Sequence, residues 1–435
     1  MYKRLIKEYQ TNIYSLTMYL ENAEEAFKIK KEFLKESSDL LMLLDYINIK
    51  KEEVNKENTE KEEKKRKISE VVEKKIIENM KITDDGDIEF ELKGPDVKKR
   101  IMESVRKMDY KIKQDKILYS GTLMLLVVYF EEMLSKMLLT DLLKYPRIRI
   151  EENSITFEEL KDLGSIDEAK KYLIEKEVNN IMKENCDYWF NEHIKKLLKL
   201  KLENYYKNKN KFNEIMARRN LLVHNEGIVN KYYINRVGKN NIYSAKIGKK
   251  LYVDNEYIKE ALEIFEEVGV ALLIELYLKE EINDKDKVYL FDIITDGYLF
   301  KEKYRIALAL YELLLDSKKI SGELRKYCEL NYWQCHKWLG TTNDKVKELE
   351  KEDYSIYDVR LKLGGLALQG KYDEFYEAFN KQNEITLECL KEWPIFKLIR
   401  EDDRFRKMIE DEEANTVLAE ASIDEDSLKN QLELI

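Results

Sequence analysis

The sequence predicts an all-α fold, and three observations favour this class. Only three prolines and fourteen glycines interrupt 435 residues, whereas the helix formers lysine, glutamate and leucine are abundant. Charged residues make up 37% and hydrophobic residues 44% of the chain, a mixture that suits amphipathic helices around a sizeable core. Apolar residues recur at helical spacing in most segments. The length allows two or three domains.

Residues 1–110 are predicted to form a charged, helical N-terminal region. A first apolar segment ends with MLLDYINI, and KKEEVNKENTEKEEKKRK, residues 50–67, has almost no apolar residue. Such a run is typical of a solvated helix or a flexible tether. In ITDDGDIEFELKGP, the turn residues Asp85-Gly86 and the alternation after them predict a small hairpin.

Residues 111–282 are predicted to form a second helical region. ILYSGTLMLLVVYFEEMLSKMLLTDLL predicts a long central helix, although its apolar run, residues 123–130, is far shorter than the ~20 residues of a membrane span. Ser165 and Glu168 have the spacing of a capping box at a helix start. NEHIKKLLKLKLENYY and NEYIKEALEIFEEVGVALLIELYL predict further helices. GIVNKYYINRV and KIGKKLYV are rich in β-forming residues and predict a short β-hairpin insertion.

Residues 283–413 are predicted to form pairs of helices. YRIALALYELLLDSKK and GELRKYCELNYWQCHKWLG make one pair, and DVRLKLGGLALQGKYDEFYEAFNKQ makes a second around a glycine-containing turn. Leu339-Gly340 and Gln369-Gly370 lie 30 residues apart at equivalent turns, which resembles the ~34-residue period of tetratricopeptide repeats. Two degenerate repeats also arise in other helical arrays. Residues 414–435 are predicted to be an acidic tail.

The cysteines and histidines favour no metal site. Cys186, Cys328, Cys335 and Cys389 contain no C-x-x-C pair, and this usage fits a reducing cytoplasm. Cys335-His336 follows seven residues after Cys328, so three soft ligands are near each other in sequence, but packing on one helix face is the simpler interpretation. The N-terminal residues contain no apolar signal region. We expect a cytoplasmic protein with no metal, no cofactor and no membrane partner.

The stretch RRNLLVHNEGIVN, residues 218–230, contains the candidate site. In a helical projection Arg219 falls in the middle of an apolar stripe that consists of Phe212, Ile215, Met216, Leu222 and Val223. Asn220 and His224, four residues apart, lie together beside the stripe, and Gly227 predicts the end of the helix. An arginine in an apolar stripe needs a carboxylate or another anion as its partner.

This pattern also has an ordinary structural interpretation. Arg219 can pair with Glu131 or Glu132 on the long apolar helix, and its stem can lie along apolar surface. His224 can favour the C-terminus of its helix through the helix dipole. An arginine five residues before a histidine is a weak motif by itself.

The wider string RRNLLVHNEGIVNKYY resembles the signature of HEPN domains, in which an arginine, a polar residue and a histidine follow in this order. The flanking SIDEAKKYLIEKEVNNIM and GKKLYVDNEYIKEAL resemble one HEPN subgroup, so the resemblance covers residues 111–282. It implies a helical bundle that pairs face to face. Many members are metal-independent RNA endonucleases of toxin–antitoxin, phage-defence or CRISPR-associated systems, so the resemblance also implies this activity. Residue by residue, it implies that Arg219, Asn220 and His224 are catalytic.

These residue types fit the cleavage of RNA without a metal. A histidine takes or gives a proton near neutral pH, and a guanidinium holds the phosphoryl oxygens as negative charge builds. The amide of Asn220 can orient the substrate or the histidine. Because one His224 per chain is too few for both acid and base, we expect a homodimer that joins two copies of the site.

The distribution of charge gives independent support. Residues 194–250 contain fifteen Lys and Arg against three Glu, a local charge of +12, whereas the whole chain carries −9. A basic segment within an acidic protein is typical of phosphate contact. The predicted RNA-binding residues are Arg218, Lys207, Lys209, Lys211 and Lys231, and Tyr205, Tyr206, Tyr232 and Tyr233 are candidates for base stacking. Solvated lysines and core tyrosines are the ordinary alternatives.

Together with these residues, the resemblance implies a dimeric HEPN endoribonuclease that acts as a toxin or antiviral defence effector. Its C-terminal repeats are expected to bind a protein partner or to sense a trigger. Two alternatives stay open: a non-catalytic HEPN module that binds a nucleotide or RNA, and a repeat adaptor whose HEPN part only dimerises. The chain contains no glycine-rich phosphate loop, no G-x-S-x-G and no H-E-x-x-H, so other catalytic classes have poor support.

Overall fold

The structure, a computed structural model, describes residues 1–29, 38–54, 62–83, 87–145, 154–238, 245–412 and 414. Most of these residues are helical and their strands form one two-stranded sheet, which confirms the predicted all-α class. They group into two compact units. The first contains Met1, Lys3–Asn191 and Asn208–Phe265, and the second contains Tyr2, Glu192–Lys207 and the described part of Glu266–Ile435. The predicted domain boundaries near residues 110 and 282 stay predictions.

The first unit opens with three helices and the sheet: α1 (Tyr2–Ile29), α2 (Ser38–Val54), α3 (Glu62–Lys75), β1 (Ile77–Ile82) and β2 (Ile88–Leu92). The strands are antiparallel and place Ile82 opposite Ile88, which confirms the predicted hairpin. Its turn at Asp85-Gly86 lies outside the described residues, as do residues 55–61 of the charged run. The described remainder of that run, residues 50–54 and 62–67, is helical.

Helix α4 (Gly94–Lys144) is the predicted long central helix and has 51 residues. It passes through residue 110 without a break. By length and composition it is the one helix in the described part of the chain that is long and apolar enough to cross a membrane. In its most apolar window 44% of the residues are buried inside the protein. The core helix of a soluble protein passes the same test.

A group of aromatic rings fixes the centre of the first unit. Phe130 of α4 makes edge-to-face contacts with Phe212 and Phe265, at centroid distances of 5.1 and 5.2 Å. Phe190 contacts Phe212 in the same way at 5.4 Å, and all four rings are fully buried. Such pairs contribute about 0.5–1.5 kcal/mol each beyond the burial of their area. They hold the helix of the candidate site against α4.

Local capping interactions define where the next two helices after α4 begin. Helix α5 (Phe157–Leu163) begins with a capping box in which Thr156 and Glu159 satisfy each other's backbone N–H groups. Helix α6 (Ile166–Lys183) begins at the predicted cap, where Ser165 Oγ accepts a hydrogen bond from the N–H of Glu168 at 3.2 Å. A helical turn, Cys186–Tyr188, then continues into a π-helix, Trp189–Leu197. The three helices that follow are α7 (Glu203–Asn225), α8 (Lys231–Val237) and α9 (Asn255–Lys279).

The predicted β-hairpin insertion is wrong for KYYINRV, which forms helix α8. The side chain of Asn230 accepts a hydrogen bond from the N–H of Tyr233 at 2.9 Å and so caps the helix. This cap satisfies a backbone donor of the first turn and offsets the β preference of tyrosine and isoleucine. The β pairing seen here is one isolated bridge, between Ile228 and Lys250, and residues 239–244 lie outside the described residues.

After α9, the second unit consists of shorter helices and helical turns. In chain order they are α10 (Asp284–Ile294), a π-helix (Thr295–Leu299), α11 (Tyr304–Asp316), α12 (Gly322–Leu339), α13 (Asp344–Leu349), a 3₁₀ turn (Tyr354–Ile356), α14 (Val359–Gln369), α15 (Tyr372–Phe379), α16 (Leu387–Glu392) and 3₁₀ turns at Pro394–Phe396 and Ile399–Glu401. Residues 403–412 are helical. The predicted acidic tail lies outside the described residues except for residue 414.

The predicted helix pairs are confirmed, because α11 packs against α12 and α14 packs against α15. Gly340 and Gly370 end α12 and α14 with φ of +65° and +74°. After each glycine, the next N–H donates to a carbonyl five residues back, from Thr341 and Lys371. The two turns therefore share the left-handed glycine end of a Schellman motif. The assignment to tetratricopeptide repeats stays a prediction.

Candidate functional site

The three predicted catalytic residues lie in the last two turns of α7. Arg219 and Asn220 are half-buried there, and His224 is exposed. Because Asn220 and His224 are four residues apart on a helix, their side chains lie on one face. The structure thus places an arginine, an amide and an imidazole at the exposed C-terminal end of one helix.

The buried face of α7 differs from the predicted stripe. Phe212, Ile215 and Met216 are buried as predicted, but Leu222 is half-buried and Val223 is 52% exposed. In the last turns the buried positions are Ala217 and Leu221 instead, which pack with Val229, Tyr233 and Ala245. These partners come from α8 and the loops around it, a tertiary contact that a helical projection does not contain.

As a result, the buried arginine of α7 is Arg218 and not Arg219. Arg218 Nε donates to Oε1 of Glu214 at 2.8 Å, and Nη1 donates to the carbonyl oxygen of Tyr252 at 2.9 Å. Its guanidinium also lies over the ring of Tyr257, 4.1 Å from the centroid. Arg218 was predicted to contact RNA, but its buried side chain joins α7 to the chain around Tyr252 and Tyr257.

Glu214 is the centre of this buried network. Its Oε1 accepts from the hydroxyl of Tyr233 at 2.5 Å, and its Oε2 accepts from the hydroxyl of Tyr257 at 2.8 Å. Burial, then the nearby carboxylate, raises the pKa of Tyr233. Burial lowers the pKa of Arg218, but Tyr257 and Glu214 outweigh it and raise that pKa above its ordinary value. The network therefore contains an ionised arginine and a neutral tyrosine hydroxyl.

Arg219 pairs with one of the two carboxylates that the sequence analysis left open. Its Nη2 donates to Oε1 of Glu131 on α4, and the two side chains are 22% and 30% exposed. Burial raises the pKa of Glu131, and Arg219 lowers it in part. Arg219 Nε is buried and has no hydrogen-bond partner among the described residues. The guanidinium is thus held by a carboxylate at one edge.

Gly227 fixes the path of the chain after His224, as predicted. Helix α7 ends at Asn225, and Gly227 has a φ of +80°, a conformation that favours glycine. A Cβ at Gly227 would lie 2.7 Å from the carbonyl oxygen of Leu251, so another side chain needs this segment to move. The N–H of Leu251 donates to the carbonyl of Gly227 at 2.8 Å. The end of the motif is therefore tied to residues 249–251.

The predicted RNA-binding lysines fall into two groups. Lys207, Lys209 and Lys211 each pair with a carboxylate, respectively Glu312 at 2.6 Å, Asp187 at 3.6 Å and Glu260. Lys231 is exposed, and the described part of the chain shows no ion pair for it. Ion pairs at a surface contribute only about 0–1 kcal/mol, so they exchange readily with other anions. Their lysines are still able to contact phosphate.

The four tyrosines predicted to stack on bases also fall into two groups, buried and exposed. Tyr205 and Tyr233 are buried in the core, so they offer no face to a base. Tyr206 and Tyr232 are exposed, and Lys195 lies over the Tyr206 ring, 5.0 Å from the centroid. Two of the four predicted stacking residues are therefore accessible.

The residue that sequence analysis missed is Glu214. A signal for it exists, because Glu214 and Arg218 have the four-residue spacing of an ion pair on one helix face. The sequence gives no sign of the two tyrosines that complete its network, since they come from α8 and α9. The part of Glu214 is structural: it is fully buried and touches no solvent.

Helix α12 contains Cys328, Cys335 and His336, and all three side chains are buried. Burial raises the pKa of both thiols, to about 12 for Cys328. His336 Nδ1 bonds the hydroxyl of Thr341 at 2.7 Å, and burial lowers the pKa of its imidazole. Within the described residues no group of three His, Cys, Asp or Glu side chains is placed to hold a metal ion.

No family model, no curated protein and no solved structure matches the chain. The resemblance to HEPN domains therefore rests on the motif residues, on their flanks and on the chemistry of these residue types.

Proposed function

We propose that the protein is a metal-independent RNA endonuclease of the HEPN type, with Arg219, Asn220 and His224 as its catalytic residues. The observation that supports this most is their grouping at the accessible end of α7. The buried network around Glu214 connects this part of α7 to α8 and α9. Rigid support of this kind favours catalysis because donors and bases must be oriented before the reaction begins.

The proposed reaction is an internal transfer at phosphorus. His224 takes the proton of a ribose 2′-hydroxyl, and the 2′-oxygen attacks the adjacent phosphorus. The bond from phosphorus to the 5′-oxygen breaks, and this oxygen takes a proton from the acid. Arg219 donates hydrogen bonds to the phosphoryl oxygens, whose negative charge increases in the transition state. The products are a 2′,3′-cyclic phosphate and a 5′-hydroxyl.

The acid comes from a second copy of the chain in this proposal. Two chains pair through the HEPN region so that both copies of Arg219 and His224 line one basic cleft. The exposed apolar side chains of Val223, Ile228 and Tyr252 near the motif offer surface for such pairing. A dimer also gives the reaction two imidazoles, one as base and one as acid.

We place this activity in the cytoplasm, as a toxin or antiviral defence effector. The helix pairs of the second unit would bind a protein partner or a trigger. Pairs of packed helices commonly present such surfaces. A pull-down with the full chain identifies such a protein partner. The basic residues that would contact RNA are Lys207, Lys209, Lys211 and Lys231.

The direct test is cleavage of a defined RNA oligonucleotide in excess EDTA, with analysis of both new ends. The proposal predicts full activity and products that carry 2′,3′-cyclic phosphate and 5′-hydroxyl groups. Strict dependence on magnesium with 5′-phosphate products would contradict it. Size measurement of the active species tests the dimer, and a monomer that is active as such would contradict the shared cleft.

A second candidate is a non-catalytic RNA-binding module. It is favoured by the ion pair of Arg219 with Glu131 and by the paired state of three predicted lysines. In that case the same oligonucleotide binds with steep salt dependence but stays intact. The cleavage assay separates the two candidates.

A further inference from the structure

The ion pair between Arg219 and Glu131 places a negative charge where a phosphate has to bind. Glu131 contacts Nη2, one of the groups with which a guanidinium makes a bidentate contact to a phosphate. Both side chains are largely shielded from solvent. Charges interact more strongly in such a setting than in water, so the carboxylate repels an approaching phosphate and competes for the same N–H.

The position of Glu131 is fixed by its helix. Phe130, the residue before it, is fully buried in the aromatic group of the first unit. The backbone of α4 therefore has little freedom at this point. Release of Arg219 depends on rotation of the Glu131 and Arg219 side chains, which needs no change in the fold.

The neighbouring carboxylate provides an internal comparison. Glu132 is next to Glu131 on α4 but belongs to a different pair, in which Lys136 Nζ lies 2.7 Å from its Oε1. Its side chain is 46% exposed. The two residues carry the same charge on the same helix, and in the structure only Glu131 binds the arginine of the motif.

We propose that Glu131 masks Arg219 as an internal counter-ion and that a phosphate group must displace it to bind. The masked site accepts a phosphate of an RNA backbone. The identification of that phosphate as RNA rests on the proposed function, whereas the masking itself concerns any phosphate at Arg219. Glu131 thus lowers the affinity of the site for phosphate, and loss of its charge raises that affinity.

The test compares Glu131→Gln with Glu132→Gln in the full chain. The probes are inorganic phosphate and an oligonucleotide with 2′-deoxyribose at every position, which lacks the attacking hydroxyl. At fixed ionic strength we expect E131Q to bind the oligonucleotide on the order of tenfold more tightly than wild type. E132Q should differ from wild type by less than about twofold, because an exposed charge is screened. Glu131→Ser removes the same charge with a smaller side chain and should show the same gain.

The gain must depend on the arginine. In the double variant with Arg219→Ala, the E131Q effect should disappear for both probes. A gain that persists without Arg219 shows a general change in surface charge and overturns the masking proposal. So does an E131Q protein, folded by circular dichroism, that binds no more tightly than E132Q.

Failure of the proposed function gives a different result. If wild type and E131Q both leave a normal RNA intact, the endonuclease proposal fails, while the phosphate measurement still decides whether Glu131 masks Arg219. If E131Q loses cleavage but binds the deoxy-oligonucleotide as wild type does, Glu131 acts in the reaction and the masking proposal is wrong. If it binds more tightly and cleaves faster at low RNA concentration, both proposals are supported.

Discussion

Arg218 and Glu214 form a buried ion pair across one turn of α7, with 2.8 Å between Nε and Oε1. Their side chains are 5% and 0% exposed. The pair lies directly before Arg219 in the chain, and the hydroxyls of Tyr233 and Tyr257 complete the bonding of the carboxylate. A single buried glutamate therefore connects α7 to α8 and to α9 next to the candidate site.

Replacement of Glu214 by Gln is expected to destabilise the fold strongly. The amide leaves Arg218 as a buried charge with a weaker partner and supplies an N–H where a tyrosine hydroxyl now donates. Removal of one member of a buried pair costs about 3–5 kcal/mol. Urea unfolding measures this, and Tyr233→Phe, which removes one hydrogen bond, serves as the milder comparison at about 1–3 kcal/mol. An E214Q protein within measurement error of wild type would contradict the central position of Glu214.

Gly365→Ala is expected to destabilise the second unit. A Cβ at Gly365 would lie 2.1 Å from the ring of Tyr354, which is buried. The ring must move, and overpacking of this kind costs about 1–3 kcal/mol. Gly121→Ala in α4 is the matched control, since nothing lies within 4 Å of its Cβ position. Alanine in that helix should stabilise the protein by about 0.5–1 kcal/mol. Thermal unfolding that shows equal effects would contradict the tight contact.

The sequence predicted those features that depend on neighbouring residues. The cap at Ser165 and the glycine ends at Gly340 and Gly370 are examples, because their hydrogen bonds close within a few residues. Helix α8 was missed since the propensities of Tyr232, Tyr233 and Ile234 favour a strand, whereas the cap at Asn230 decides the structure. Propensity is a weak guide when a local hydrogen bond competes with it.

At the candidate site, the sequence predicted an arginine in an apolar environment. It assigned this position to Arg219, whereas the buried arginine is the adjacent Arg218. Adjacent positions on a helix differ by about 100° in direction, so a change in the covering elements transfers burial from Arg219 to Arg218. Tyr233 and Tyr257 come from α8 and α9, which lie outside α7 in sequence. Glu131 was one of two candidate partners, and only the packing of α4 against α7 distinguishes it from Glu132.

The buried thiol of Cys328 predicts a loss of stability in alkali. Burial raises its pKa to about 12, whereas an unfolded cysteine titrates near about 8.5. The folded state therefore retains a proton that the unfolded state loses. The resulting stabilisation is complete below the unfolded pKa and is lost as the pH rises from there towards the folded pKa.

Unfolding free energies of wild type and Cys328→Ala across this pH range check the prediction. Wild type should lose about 1.4 kcal/mol relative to the variant for each pH unit above the unfolded pKa. Leu330→Ala removes a buried apolar side chain from the same helix and should show a constant difference from wild type. A constant difference for Cys328→Ala as well would contradict a buried, protonated thiol.

The proposed roles of Arg219 and His224 in RNA cleavage are tested by the single-turnover rates of Arg219→Ala and His224→Ala on one defined oligonucleotide in EDTA. Arg360→Ala, an exposed arginine of α14, is the matched control. Each site variant should stay folded and lose on the order of 10²–10³ in rate, whereas R360A should cleave as wild type does. Site variants that cleave at the wild-type rate would contradict these roles.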